Sequence, residues 1–151
     1  MPTRSANAIV AAAVAACIAG GAVAQSSPPD MISIQEYLTR NGAKGVAAKQ
    51  FIYMRCAAIY SLFSGVSQNA GDQGVAAQYN EAAAKMLGAA ESLESPQNRT
   101  ARIQDGAVFS QVQKMGKLYL DRATEARART GSFSDDTIIK SDGAYCKGVK
   151  P

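Results

Sequence analysis

The stretch Ile52–Val66, IYMRCAAIYSLFSGV, sets Ile52, Cys56, Ile59, Phe63 and Val66 at successive steps of four, three, four and three. That spacing keeps apolar side chains on one stripe of a helix and predicts lengthwise packing against other helices. On the same wheel the apolar arc widens to take in Phe51, Tyr53, Tyr60 and Leu62, with Gln50, Ser61 and Ser64 opposite. So broad an arc needs two or three neighbours. The segment 45–69 is therefore expected to be the central helix of a bundle.

The neighbours are legible on either side. Ser33 and Glu36 have capping-box spacing, Ile32 and Tyr37 have staple spacing, and Asn41-Gly42 is a stop signal, so 33–41 reads as a short helix. Gly71 ends the central helix and Asp72 can cap the next, which runs to Glu94 or Ser95 with Tyr79, Ala82, Met86, Ala90 and Leu93 as its buried stripe. Pro96 stops it, in a turn over 95–98. A fourth helix, 100–130, turns Ala101, Val108, Val112, Met115, Tyr119 and Ala126 inward and Lys114, Lys117, Asp121, Arg122, Glu125 and Arg129 outward. Ser134 then precedes Asp135-Asp136, read as the acidic first turn of a short last helix that buries Ile138, Ile139, Tyr145 and Cys146. No strand pattern and no internal repeat is present. The predicted fold is all-α: a small antiparallel bundle of three long helices with two short ones over it, and a loose tail at 147–151.

Residues 1–24 read as a secretory signal peptide. Arg4 is followed by an uncharged run, Ala8 to Ala24, and Ala22-Val23-Ala24 supplies the small-residue cleavage pattern. The run is 17 residues, rich in Ala and Gly, and short for a membrane span. An alternative is lipidation: Val14-Ala15-Ala16-Cys17 resembles a bacterial lipobox and would make an anchored envelope protein. Cleavage after Ala24 leaves one helical domain, 25–151, beginning with a mobile leader at 25–32 and without a transmembrane segment. The expected location is periplasmic or secreted.

Removing that segment takes away one base, Arg4, and no acid, so the net charge of +4 becomes +3. Such an excess suits solubility and a weak preference for anionic surfaces, not nucleic-acid binding. It also removes Cys17 and leaves Cys56 and Cys146, an even pair in an oxidising compartment. A Cys56–Cys146 disulfide is expected; in the chain-entropy account so long a loop contributes roughly 4–5 kcal/mol.

The chain has no histidine, which excludes His-based triads, His-bearing zinc sites and covalent c-type haem attachment. No glycine-rich phosphate loop is present either, and neither a cofactor nor a metal is expected. A carboxylate pair for glycoside hydrolysis is a matter of geometry that spacing does not decide; Asp135 and Asp136, the densest acidic group, could with Asp142 bind a cation loosely, but solvated carboxylates at a helix start account for them. Arg55 is the charge that needs explaining, because it falls inside the apolar sector between Ile59 and Leu62. A buried guanidinium must be paired. It is either in a salt bridge to an acid of a neighbouring helix, or it is a ligand-binding group in a cleft bordered by Tyr53 and Tyr60. Those tyrosines lie a heptad apart, as core-margin residues or interface anchors.

The architecture resembles the small, helical, disulfide-bearing exported proteins of Gram-negative bacteria, a likeness that transfers no functional residue. The functional expectation is a non-enzymatic binding or interaction module whose partner is a protein or an envelope component. The alternatives are a sensor of a small ligand or anion built on Arg55, Tyr53 and Tyr60, and a lipid-anchored protein tethered through Cys17.

Overall fold

The computed structural model describes residues 31–93 and 107–151, and these form five α-helices and one 3-10 turn with no strand among them. The helices are α1 (Ile34–Asn41), α2 (Val46–Asn69), α3 (Gln73–Ser92), α4 (Ala107–Thr130) and α5 (Thr137–Cys146), with the 3-10 turn at Phe133–Asp135. The expected all-α plan of three long and two short helices is what the chain adopts. The signal-peptide and lipobox readings, the turn at Pro96 and the start of the fourth helix fall outside the described residues.

Local chemistry sets the helix ends. Ser33 accepts from the Glu36 amide at 3.2 Å, but the Glu36 carboxylate turns to Arg40 one helical turn on, so only half of the anticipated capping box forms. Between α2 and α3, Gly71 takes a φ of 82°, and the amides of Gly71 and Asp72 bond back to the carbonyls of Gln68 and Ser67. This is a Schellman closure, which favours glycine because a Cβ is strained in that left-handed conformation. Asp72 then caps α3 through Val75 N–H at 3.0 Å. The resulting hairpin is antiparallel: Gln50 reaches Ala90, Tyr60 stacks near Tyr79, and Ser64 reaches Ala76.

Helix α2 is the hub. Every residue from Met54 to Tyr60 is buried, so the helix is enclosed on nearly all sides rather than on one arc. Ser64, expected on the outer side, is therefore buried too. It remains affordable there because its hydroxyl donates to the Ala76 carbonyl at 3.0 Å. The predicted disulfide joins Cys56 to Cys146, with an S–S length of 2.03 Å and a Cα–Cα distance of 5.5 Å. It holds α5 across α2. Gly143 makes this approach possible, since a Cβ there would lie 3.0 Å from Phe63 Cζ.

The last helix differs from its expected start. Asp136 is its N-cap, accepting from Ile138 and Ile139 N–H at 2.9 Å each, and Asp135 belongs to the preceding 3-10 turn. Asp136 is also buried and paired with Arg122 at 2.7 Å, so it is not the solvated carboxylate expected from sequence, whereas Asp135 is exposed. The segments at both ends of the described residues are held as well. Met31 is buried, although it lies in the stretch read as a mobile leader. The tail expected to be loose donates Gly148 and Val149 N–H to the Tyr145 and Cys146 carbonyls, and Val149 packs on the core.

Candidate functional site

Arg55 points into the bundle and is only 4% exposed. One of its terminal nitrogens donates to Asp142 Oδ2 and also to the Ile32 carbonyl, the latter at 2.9 Å. Asp142, on α5, has no exposed surface at all. Its carboxylate accepts from three donors: Arg55, the Tyr119 hydroxyl on α4, and the Ile34 amide at 2.7 Å. The last is an otherwise unpaired N–H in the first turn of α1, so Asp142 helps Ser33 cap that helix from 108 residues away. Four helices thus meet at one carboxylate.

The guanidinium also lies against two rings, its Cζ 4.9 Å from the Tyr119 centroid and 5.7 Å from that of Phe51. These contacts have cation–π geometry, and they surround Arg55 Nε, a buried nitrogen without a hydrogen-bond partner. Tyr37 stacks on the far side of the cluster, its ring 3.6 Å from that of Phe51. Burial pushes the Tyr119 hydroxyl well above the usual phenol range, with Asp142 adding to the rise and Arg55 opposing it. Tyr119 therefore stays protonated and donates.

Tyr53 and Tyr60 serve a different place. The Tyr60 hydroxyl donates to the Cys146 carbonyl at 2.8 Å and the Tyr53 hydroxyl to that of Lys150 at 3.3 Å. The heptad between them matches the run of the tail, which lies along α2 toward its N-terminus. Burial raises the Tyr60 hydroxyl, and neighbouring Tyr79 adds to the effect. Arg55 bonds α5 at Asp142, Tyr60 bonds its last carbonyl and Tyr53 bonds the tail, so the three residues proposed from sequence as one cluster share no partner.

Two surface grooves accompany this core. One, of about 290 Å³, lies between α4 and the start of α5 and is lined by Arg122, Glu125, Arg129, Asp135 and Asp136. Asp136 is committed within it: burial alone would raise its carboxyl, but hydrogen bonds from Arg122, Ile139 and Ile138 and the Arg122 charge outweigh that and hold it below the ordinary range. The other, of about 280 Å³, runs between α3 and the tail, with Tyr60, Gln78, Lys85, Met86 and Val149 among its lining residues. Arg55 lines neither. No group of three or more His, Cys, Asp or Glu side chains is arranged to hold a metal among the described residues.

Sequence reasoning singled out Arg55 but missed its partner. Asp142 was grouped with Asp135 and Asp136, whereas it lies three residues after Ile139 and four before Cys146, on their buried stripe. That spacing was the available signal. Comparison with protein-family models, with curated proteins and with solved structures gives no match to this chain.

Proposed function

We propose that this chain is an exported, non-enzymatic interaction module that works through its outer faces. The observation that carries the reading is the closure of its most unusual polar group. Arg55 takes its partners from the chain itself, and Asp142 accepts from three internal donors on both of its oxygens, so this chemistry is committed to joining α1, α2, α4 and α5. Anion capture by Arg55 would require breaking that junction. The Cys56–Cys146 bond is consistent with an oxidising compartment, and the helices offer long exposed faces to a protein or envelope component.

Photo-cross-linking groups placed at exposed positions on separate faces, Lys49, Gln78 and Lys114, test this in intact cells. A discrete adduct from one face is the expected result. Absence of an adduct from every face, in protein shown to be folded and oxidised, would overturn the reading. Mass measurement of the isolated protein decides its processing: a start at Gln25 supports the exported soluble form, and a lipidated Cys17 the anchored one.

A further inference from the structure

We propose that the first turns of α2 and the C-terminal tail together form a docking surface for an anionic phospholipid bilayer. The inference names a partner class for the interaction module above and rests on that reading. From Tyr37 to Gly71 the chain has no acidic residue, yet it carries Arg40, Lys44, Lys49 and Arg55. Arg55 is internal and Arg40 pairs with Glu36, which leaves Lys44 and Lys49 exposed at the start of α2. The tail brings a further lysine to the same place. Tyr53 lies one turn after Lys49 on the same face of α2, and its hydroxyl holds the Lys150 carbonyl at 3.3 Å.

Lys44, Lys49 and Lys150 form no ion pair among the described residues. Glu91 borders the patch, one residue beyond the Ala90 carbonyl that holds Gln50. Val46 stands between Lys44 and Lys49 and is 58% exposed, the one large apolar side chain left so among the described residues. Exposed Ala43 and Ala47 flank it. An exposed apolar side chain flanked by lysines suits the boundary between headgroups and acyl chains, where apolar burial and attraction to anionic lipid act together. A hydrated polyanion would use the lysines and gain nothing from Val46, which is why the bilayer is favoured.

The test is co-sedimentation of the processed protein, isolated from an exporting host, with vesicles of phosphatidylglycerol and phosphatidylethanolamine or of phosphatidylcholine alone. Binding to the anionic vesicles only is expected, weakening with salt. Lys49→Ala and Lys150→Ala should each lower partitioning roughly fivefold, with unchanged melting. Lys114→Ala with Arg129→Ala, on α4, should not. Val46→Ser should reduce vesicle binding while leaving retention on immobilised polyphosphate unaltered. Equal binding to both vesicle types, equal loss from the α4 variants, or an indifferent Val46→Ser would each overturn the proposal, the last in favour of a soluble polyanion. Vesicle failure alongside a cross-linked protein partner removes this surface alone; failure of cross-linking at every face together with failure to bind vesicles removes the reading beneath it.

Discussion

Arg55 and Asp142 show how one residue pair can hold a fold and still be costly to keep. Taking both charges out of water is expensive, and the cost is offset only because every Asp142 lone pair that matters has a donor. Removing one partner is therefore worse than losing a contact. Arg55→Ala should destabilise the protein by about 3–5 kcal/mol in urea denaturation, since it strands a buried carboxylate. Tyr119→Phe should cost about 1.5–3 kcal/mol, the range for a hydrogen bond to a charged group. The two tyrosine states also set a pH dependence. Tyr119 has its hydroxyl raised in the folded protein, so its contribution is present below the unfolded value, about 10, and is lost as pH rises beyond it. Alkaline stability curves should flatten in Tyr119→Phe. Asp136 has the opposite sign: its carboxyl is lowered, so its contribution is present above about 3.9 and is lost as pH falls through the folded value. Asp136→Asn keeps a capping side chain and should flatten the acid limb instead.

At the scale of elements, α5 is a short helix that its neighbours keep in place. Its ten residues are too few for independent stability, and it is held by the disulfide, the Asp142 junction and the Tyr60 bond to its last carbonyl. Replacing both cysteines by alanine should cost about 2–5 kcal/mol, read as a lower urea midpoint. In native, unreduced protein neither Cys56 nor Cys146 should react with an alkylating agent. Gly143→Ala sets a gain in helix propensity against contact with Phe63 at 3.0 Å. Phe63 is packed against the core, so the contact should prevail and lower stability by about 1 kcal/mol.

Across the whole molecule the helices and most of their ends were legible in the sequence. Asp72 and Gly131 lie where capping chemistry put them, and Tyr119 and Val112 lie in the core their spacing assigned them. The misreadings share one cause. Ser64, Arg122 and Asp136 are polar residues judged outward from a single helix, yet each is buried or half-buried because a second segment covers it and supplies a partner. The tail is the same case: its polar, lysine-bearing sequence reads as loose until Tyr53 is found holding the Lys150 carbonyl and Val149 packing on the core. Deleting residues 147–151 should lower stability by about 1–2 kcal/mol through the lost Tyr53 bond and the uncovering of Val149's neighbours, measured against a parent denatured in parallel.

The sequence by itself determined the class of fold and the central helix, and pointed to Cys56 and Cys146 as the pair once Cys17 is assigned to the expected leader, because periodicity, caps and thiol positions are local or compositional properties. It also marked Arg55 as a charge that must have a partner. Only the tertiary structure decided which one. Nothing in the spacing of a chain says which of twelve acids will lie beside a given arginine, since that depends on how four helices cross. Their crossing places Asp142 against Arg55, Tyr119 and the first turn of α1, and turns the residue of most apparent functional interest into the centre of the core.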